Sequence, residues 1–303
     1  METSLDQQTI LVTGASGLLG SRVVPLLSRS LPEARIIAAN RNMGDLKEKE
    51  FWSKLPETIT TVIHLAAFIP WKPEQRNDER VVQENRIPIE MLIEHSRRWP
   101  GLEQVIYSSS VSVYEPTGEW LDESSTTRPA SLYGAAKLRG EELLAGMKGI
   151  RIATLRFTSL YAHGQYKGTV LPIMVKRAQQ RQDLLIFGDG TRTQDFLHCE
   201  DAAHAILLAL QQDADGVYNI GIGTPVMMTE LAETVSRVFA NGESKIVYQP
   251  ERADGDPGIK LDISKARREL NYEPRLSLEC GLRRLKQEME TNSDACINTE
   301  GVR

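Results

Sequence analysis

The stretch TILVTGASGLLG, from Thr9 to Gly20, passes from an apolar segment into a glycine-rich turn. Residues 10–12 suit a buried strand, and the apolar positions that follow the turn recur at helical spacing. Gly14, Gly17 and Gly20 therefore lie at a strand-to-helix junction, where glycine permits a tight turn and close approach of a pyrophosphate to the backbone. The helix N-terminus attracts anions through its N–H groups and its dipole. The junction predicts a dinucleotide phosphate site, with an ordinary glycine turn as the alternative.

The composition is that of an ordinary globular protein of 303 residues, with 41% hydrophobic and 25% charged residues. A net charge of −5 provides no electrostatic footprint for nucleic acid. Cys199, Cys280 and Cys296 are widely spaced without a CxxC pair, which predicts neither disulfides nor a zinc site and favours a reducing cytoplasm. No apolar run approaches the roughly 20 residues of a membrane helix, and residues 1–8 lack the features of a signal peptide. We therefore expect a cytoplasmic protein with no nucleic-acid partner, no membrane segment and no bound metal.

The end of the second apolar strand, predicted over residues 34–40, bears on the choice of cofactor. An acidic residue there would hold the ribose 2′-hydroxyl of NAD, whereas this chain has Asn40 followed by Arg41. A carboxylate that would repel a 2′-phosphate is missing, and a guanidinium that can bind one is present. The two residues favour NADP, with NAD as a close alternative, unless Arg41 is a plain surface charge.

Two further strands end in small or hydroxylated residues. The strand predicted over 60–67 ends in alanines at 66–67, which permit close approach of a flat ligand at the carboxyl edge of a parallel sheet. A helix predicted over 84–98, with Pro88 near its start, covers the sheet. The next strand ends in three serines at 108–110. Their hydroxyls could bond a substrate oxygen at the same edge, although serine clusters are also common in plain turns.

Tyr133 and Lys137 are the strongest chemical signal in the chain, within YGAAK at the start of a predicted helix. Their spacing of four residues places both side chains on one helical face, one turn apart. A tyrosine with the ordinary pKa of about 10 exchanges protons poorly at neutral pH, and a neighbouring ammonium favours the phenolate and lowers that pKa. The pair predicts an acid/base tyrosine, with a buried aromatic beside a surface lysine as the alternative.

Taken in chain order, the glycine turn, IHLAA, SSSVSVY, YGAAK and several later segments resemble the extended short-chain dehydrogenase/reductase family, in its branch of nucleotide-sugar epimerases and dehydratases. The later segments are LRFTSLYAHG at 155–164, FGDGTRTQDFLHCEDAAHAI at 187–206, YNIG at 218–221 and DISKARRELNYEP at 262–274. The resemblance implies an α/β fold, with a Rossmann-type doubly wound parallel sheet and a smaller C-terminal substrate-binding lobe.

Two lobes with a substrate cleft between them are implied by the same resemblance. Residues 1–165, joined by returning segments near 195–222, would form the NAD(P)-binding Rossmann domain, and residues 166–303 mainly the substrate-binding lobe. A homodimer is also implied, formed through the helices that begin near Asn85 and Tyr133.

The resemblance also implies roles for individual residues that match positions of the family's motifs. The implied catalytic set is Ser110, Tyr133 and Lys137. The implied cofactor-binding residues follow the first four strands or lie on the helices: Gly14, Ser16, Gly17, Leu18, Gly20, Asn40, Arg41, Asp45, Leu46, Leu65, Ala66, Ala67, Asn85, Ser108, Tyr133 and Lys137.

Departures from the family pattern concern the substrate side. Thr158 stands where the family has a substrate-contacting asparagine, and Gln194 occupies the position of an arginine that meets the diphosphate in the sugar-nucleotide enzymes. Arg192 and Arg252 could supply the missing positive charge, because arginine suits bidentate phosphate contact. The implied substrate-binding residues are Ser110, Thr158, Arg192, Gln194 and Arg252.

The function implied is that of an NAD(P)-dependent oxidoreductase or epimerase that moves hydride at a sugar hydroxyl or ketone, with a nucleotide sugar as the expected small-molecule substrate. Val111 and Ser112 stand where the 4,6-dehydratases carry an Asp-Glu pair, so dehydration is disfavoured. An NADP-dependent reductase of a non-nucleotide carbonyl is the main alternative, because Thr158 and Gln194 weaken the diphosphate site. A non-catalytic sensor of the cofactor is a third, and the retained acid/base pair argues against it.

Overall fold

The structure is a computed structural model that describes residues 8–70, 75, 78–165, 168–253 and 255–297. Residues 1–7, on which the expected lack of a signal peptide largely rests, lie outside the described residues. Within the described part of the chain, no helix is both long and apolar enough to cross a bilayer.

Strands and helices alternate along the first half of the chain, as a parallel sheet requires for its crossover connections. The strands are β1 (Thr9–Thr13), β2 (Arg35–Ala39), β3 (Thr61–His64), β4 (Gln104–Ser110), β5 (Trp120–Leu121), β6 (Arg151–Phe157), β7 (Ser159–Tyr161), β8 (Leu184–Phe187), β9 (Thr193–Gln194), β10 (Phe196–His198), β11 (Gly216–Ile220), β12 (Val226–Met227), β13 (Ile246–Gln249) and β14 (Lys260–Leu261). The helices are α1 (Gly20–Ser30), α2 (Lys49–Ser53), α3 (Arg80–Ser96), α4 (Leu132–Ala145), α5 (Val170–Gln179), α6 (Cys199–Gln211), α7 (Met228–Ala240), α8 (Ser264–Leu270) and α9 (Leu278–Ile297).

A six-stranded sheet of order β11-β6-β4-β3-β1-β2 forms the centre of the molecule, and every neighbouring pair in it is parallel. Its strands are buried on both faces: Ile10 and Val12 belong to one apolar core, and Leu11 belongs to another. The predicted doubly wound α/β fold is confirmed. Because the strand order reverses between β1 and β3, the loops after these two strands flank the crevice where open α/β sheets bind ligands.

Two elements near this crevice differ from their predicted bounds. Strand β3 ends at His64, so the alanines at 66–67 lie in the loop beyond it. Helix α3 begins at Arg80, so Pro88 lies within the helix and not near its start. The earlier start buries Val81, which continues the helical spacing of the buried face by one turn. A proline inside a helix removes one backbone hydrogen bond, which the packed environment of α3 tolerates.

A third apolar core lies outside the large sheet and is formed by residues of α5, β8, α7 and α9. Helix α6 and strand β11 lie between β8 and α7 in the chain, but they belong to the large sheet and its core. Strand β11 pairs with β6, and the buried residues of α6 share a core with β1. Short two-stranded pairs, β7 with β10 and β9 with β12, follow the end of β6. The division into a cofactor lobe and a substrate lobe stays a prediction.

Candidate active site

The glycine turn after β1 is shaped by backbone contacts that exclude side chains. Gly14 has a φ of +70°, and a Cβ on it would lie 2.7 Å from the backbone nitrogen of Ala66. Gly17 donates its N–H to the Gly14 carbonyl over 2.9 Å, and a Cβ on Gly20 would overlap that same carbonyl. The strand end and the helix therefore approach more closely than residues with side chains allow.

The N-terminus of α1 presents its positive dipole end without a competing anion. The N-cap residue Leu19 provides no side-chain hydrogen bond, and the first turn has no acidic residue. Ser16 and Gly17 are exposed beside it, and Leu18 is half-buried. An exposed helix N-terminus of this kind suits a phosphate group.

The end of β2 continues into a 3₁₀ turn at Arg41–Met43. Asn40 caps the turn, because its Oδ1 accepts the N–H of Asn42 over 2.9 Å. Arg41 is exposed, and its guanidinium has no hydrogen-bond or ion-pair partner among the described residues. The arginine is therefore available to an anion near the strand end.

The next bend contains Asp45 and Leu46. The Asp45 carboxylate accepts the N–H of Lys47 over 2.9 Å, and the Leu46 carbonyl accepts the indole N–H of Trp52 over 2.7 Å. Asp45 is exposed, and Leu46 is half-buried against the core. Both residues follow the carboxyl end of β2, which lies at the same sheet edge as the glycine turn after β1.

Asn85 of α3 fixes the loop after β3. Its Oδ1 accepts the N–H of Phe68 over 3.0 Å, and its Nδ2 donates to the Phe68 carbonyl over 2.9 Å. The same Nδ2 donates to the Val81 carbonyl over 2.7 Å, and the side chain is buried. Asn85 therefore supports the loop of residues 65–67 through backbone contacts.

Lys137 lies beneath the end of β4. Its ammonium donates to the Ser108 carbonyl over 2.7 Å, and its side chain is 1% exposed. The Nζ atom lies 4.9 Å from the ring centre of Tyr107 and 5.8 Å from that of Tyr133. The structure thus brings Tyr133, Lys137 and the serine strand together.

The pKa of Tyr133 differs in sign from our expectation. Burial raises the pKa of Tyr133 above its ordinary value, whereas the sequence predicted that Lys137 would lower it. Burial also lowers the pKa of Lys137 to about 7, with the Glu141 carboxylate acting in the opposite direction. Desolvation disfavours the charged form of both groups and is the main cause of both shifts.

His64, at the end of β3, was not singled out from the sequence. Its Nδ1 lies 3.0 Å from the Thr13 hydroxyl, and its ring stacks on Tyr107 with centres 6.0 Å apart. Burial, and secondarily the charge of Lys137, lower the pKa of His64 to about 3. The imidazole is therefore neutral at physiological pH and adds no second positive charge beside Lys137.

Two glycines of α4 explain how the helix reaches the serine strand, and sequence reasoning missed both. A Cβ on Gly134 would overlap the Ser112 carbonyl, and a Cβ on Gly140 would overlap the Tyr107 hydroxyl. Ser131 caps the helix by accepting the N–H of Gly134 over 3.1 Å. A glycine directly after a motif tyrosine is the signal that could have indicated this close packing.

Ser110 connects the serine strand to a cavity. Its Oγ donates to the Oγ of Ser112 over 3.1 Å and accepts the N–H of the same residue. Ser112 lines a cavity of about 220 Å³, whereas Ser110 does not. The other polar residues that line it are Ser131, Thr158, Ser159, Arg192, Thr193, Gln194, Asp195 and Asp256.

Arg192 is the cationic side chain of this cavity wall. Its Nε lies 3.0 Å from the Asp256 carboxylate, and its Nη1 donates to Gln194 Oε1 over 2.9 Å. Gln194 in turn donates to the Ser159 hydroxyl. Thr158 is buried and gives its hydroxyl to the Asp195 carbonyl over 2.8 Å. Three of the five predicted substrate residues therefore meet at one wall.

Arg252 is placed apart from them. It is exposed, its guanidinium carbon lies 3.7 Å from the ring centre of Phe187, and it does not line the cavity. A larger cavity of about 500 Å³ is lined by Asp122, Glu123, Ser124, Val217, Asp262, Ser264, Lys265 and Arg268. None of the predicted site residues lines this larger cavity, so we assign the candidate site to the smaller one.

Residues 10–221 match the model of a protein family described as the NAD dependent epimerase/dehydratase family. Among curated proteins, one from Methanocaldococcus jannaschii named "Putative UDP-glucose 4-epimerase" is 30% identical, over 94% of this chain and 99% of its own length.

Solved structures share the fold over nearly the whole chain. MoeE5 in complex with UDP-glucose and NAD is 26% identical with a TM-score of 0.78, covering 94% of this chain and 99% of that one. RMD from Pseudomonas aeruginosa complexed with NADPH has a TM-score of 0.83 at 24% identity, covering 94% and 100%. At that identity the second likeness shows the fold alone.

Proposed function

This chain belongs to the NAD-dependent epimerase/dehydratase family, and from that membership we propose that it moves hydride at a hydroxyl or ketone carbon of a nucleotide sugar. Family membership makes it an enzyme of the extended short-chain dehydrogenase/reductase type that depends on a nicotinamide cofactor. The nucleotide sugar, the roles of individual residues and the choice between NAD and NADP are our inferences.

One observation carries the proposal. The buried Lys137 ammonium is bonded to the end of β4, with Tyr133 beside it, at the same sheet edge as the glycine turn after β1. Parallel strands present their carboxyl ends at one edge of the sheet, so a dinucleotide held at the phosphate turn and a substrate at the acid/base pair would lie side by side.

The residues of the first lobe fit a dinucleotide. Gly14 and Gly20 allow the turn, the loop after β3 and α1 to pack backbone against backbone, and the first turn of α1 has no carboxylate to repel a pyrophosphate. When bound, the nicotinamide supplies the acceptance and return of hydride. We propose that Ala66 and Ala67 line this ligand and that Asn85 fixes their loop.

Each catalytic side chain has a distinct part in the proposal. Tyr133 exchanges a proton with the reacting sugar oxygen, and Ser110 orients that oxygen through its hydroxyl. Lys137, when charged, favours the phenolate form of Tyr133. Since the pKa of Lys137 is lowered to about 7, part of this charge is lost above neutral pH.

Arg192 is our candidate for the diphosphate contact. In extended backbone, residues two apart point to the same face, so moving an arginine from position 194 to 192 keeps its charge on the same wall. The bond from Arg192 to Gln194 supports this argument. Its ion pair with Asp256 is only partly buried, with side-chain exposures of 34% and 29%, and can therefore yield to an incoming anion.

A reductase of a non-nucleotide carbonyl is the second candidate. The observation that favours it is the same ion pair, because Asp256 neutralises the cationic side chain of the cavity wall. If that pair stayed closed, the cavity would offer hydroxyls and amides but no net positive charge to a substrate.

Further parts of the proposal concern the cofactor and the assembly. We infer NADP, with NAD as the close alternative, because Arg41 is exposed and unengaged among the described side chains. We also propose a homodimer through α3 and α4. Residues 1–165 with 195–222 would form the cofactor lobe, and most of residues 166–303 the substrate lobe.

Mass spectrometry of the molecules released on heat denaturation, followed by incubation with UDP- and dTDP-hexoses and either cofactor, tests the proposal. We expect a released nicotinamide dinucleotide, and NMR should show a nucleotide sugar converted to an epimer without net change in the cofactor. Consumption of NADPH with a non-nucleotide ketone, and no change in any nucleotide sugar, would establish the second candidate instead.

A further inference from the structure

A buried ion pair lies directly beneath the proposed catalytic residues. Glu141 of α4 and Arg156 of β6 meet through two parallel contacts, Nε to Oε1 over 3.0 Å and Nη2 to Oε2 over 2.7 Å. Their side chains are only 8% and 6% exposed. A charge pair is expensive to bury unless further hydrogen bonds satisfy both groups, so its surroundings indicate what it holds in place.

On one side the pair is bonded to the serine strand. Ser109 donates its hydroxyl to Oε1 of Glu141 over 2.5 Å. Ser109 lies between Ser108, whose carbonyl accepts the Lys137 ammonium, and Ser110, the proposed orienting hydroxyl. Glu141 itself follows Lys137 by one helical turn on α4. One carboxylate thus fixes the helix that carries Lys137 to the strand that receives it.

On the other side the pair reaches β11. Arg156 donates to the Tyr114 hydroxyl over 2.8 Å, and Tyr114 donates to Asn219 Oδ1 over 2.8 Å. Asn219 then donates to the Leu121 carbonyl over 3.0 Å. The network therefore connects α4, β4, β6 and β11 with the segment that follows the serine strand.

We propose that Glu141 is a positioning residue that holds Lys137 against the serine strand and serves as its buried counter-charge. The part that concerns catalysis rests on the proposed function. The part that concerns Lys137 itself rests only on the contacts described above.

The groups around Lys137 make Glu141 the source of negative charge. His64 on β3 is neutral, and Tyr107 on β4 and Tyr133 on α4 are neutral phenols whose pKa values are raised by burial. Ile89, the α3 side chain packed at Gly140, and Ser112 are uncharged. The Glu141 carboxylate raises the pKa of Lys137 against the effect of burial, and the guanidinium of Arg156 partly offsets that carboxylate.

The two members of the ion pair therefore have opposite effects on Lys137. Glu141→Gln removes the negative charge and leaves the Arg156 guanidinium, so the titration midpoint of Lys137 should fall. Arg156→Gln leaves the carboxylate unpaired, so the midpoint should rise. We expect the midpoint to shift by roughly one pH unit in each direction, because Glu141 lies one helical turn from Lys137 and Arg156 is paired with Glu141. A purely structural role would move both variants in the same direction or neither.

The titration is measured by NMR on intact protein labelled at the lysine side chains, with the Lys137 signal assigned by its loss in Lys137→Arg. Glu142→Gln is the matched control, because Glu142 is the next residue of α4 but is exposed and paired with Arg139. We expect no change in that variant. Equal midpoints in Glu141→Gln and the unaltered protein would overturn the proposal.

Glu141→Asp provides a second measurement, should Glu141→Gln fail to fold. It keeps the charge but shortens the reach to Ser109, so turnover should fall about tenfold or more while the Lys137 midpoint stays within a few tenths of a pH unit. A moved midpoint with unchanged turnover would contradict positioning. If no nucleotide sugar is turned over at all, the proposed function fails, while the titration still decides the relation between Glu141 and Lys137.

Discussion

Two arginine–carboxylate pairs of this molecule have similar distances and very different surroundings. Arg156 and Glu141 lie 2.7 Å apart with exposures of 6% and 8%, whereas Arg192 and Asp256 lie 3.0 Å apart with exposures of 34% and 29%. The first pair has further partners on both sides, in Ser109 and the Tyr114 hydroxyl. The second faces a cavity, and its further partners include Gln194 and the N–H of Gly258.

Burial decides what each pair can do. Removing one member of a buried pair leaves a charge without solvent or partner, which costs several kcal/mol, so such a pair holds a structure in place. A half-exposed pair contributes about 0–1 kcal/mol, so a ligand anion can exchange with its carboxylate. The buried Arg156–Glu141 pair is therefore suited to holding catalytic groups in place. The Arg192–Asp256 pair on the cavity wall is suited to contacting a substrate that binds and leaves.

The largest expected effect tests whether the buried Tyr133 transfers the proton. Tyr133→Phe should lower turnover by about 10²- to 10⁴-fold, the usual loss when general acid/base catalysis is removed, while cofactor affinity changes little. Steady-state kinetics and cofactor titration measure both quantities. Tyr248→Phe, an exposed tyrosine bonded to Thr229, is the control. Near-normal turnover in Tyr133→Phe would mean that another group moves the proton.

Next in size is the stability cost of burying Lys137. The pKa of Lys137 is lowered from 10.5 to about 7 in the folded protein, so between these values the unfolded chain binds more protons and stability should rise with pH. Lys137→Met removes this cost. It should therefore gain stability over the unaltered protein by a few kcal/mol at about pH 6.5, and the gain should shrink towards about pH 10.

Urea unfolding at the two pH values measures the difference in the free energy of unfolding between Lys137→Met and the unaltered protein. Activity should be lost in Lys137→Met at about pH 6.5, because the phenolate of Tyr133 loses its cationic neighbour, and the loss should be smaller at about pH 10, where Lys137 is already neutral in the unaltered protein. Lys286→Met, at a lysine that donates to the Val238 carbonyl, is the matched control. A stability gain that does not depend on pH would contradict the proposed relation between the lowered pKa of Lys137 and the stability of the protein.

A smaller effect is expected on the cavity wall. Arg192→Met should raise KM for a nucleotide sugar by about 10- to 100-fold with little change in kcat, because a charged hydrogen bond is worth about 1.5–3 kcal/mol. Arg237→Met, which breaks an exposed ion pair with Glu279, is the matched control. An unchanged KM in Arg192→Met would mean that another group contacts the diphosphate.

The smallest effect concerns the cofactor. Arg41→Ala should weaken NADP binding by about tenfold and leave NAD binding unchanged, since only NADP carries the 2′-phosphate. Arg35→Ala is the control, because Arg35 begins the same strand, β2, and is exposed at the end away from Arg41. Calorimetry gives all four affinities. Tighter binding of NAD than of NADP by the unaltered protein would contradict the preference.

Local spacing made the glycine turn and the proposed catalytic pair predictable from the sequence. The glycine turn and the Tyr133–Lys137 pair depend on residues three or four apart, whose relation in a turn or helix is fixed by backbone geometry. The ends of β2 and β4 were predictable because apolar runs stop where the chain leaves the sheet, whereas β3 ends three residues before its predicted end. Even here the start of α3 was wrong by a turn, because the burial of Val81 became evident only in the packed structure.

Only the tertiary structure decided the charge pairs and the signs of the pKa shifts. Glu141 and Arg156 are separated by 15 residues and Arg192 and Asp256 by 64, and no local pattern connects either pair. The sequence predicted a lowered pKa for Tyr133 from one neighbour, whereas burial raises it. Desolvation is a sum over every atom packed around a group, and that sum exists only once distant segments have folded against one another.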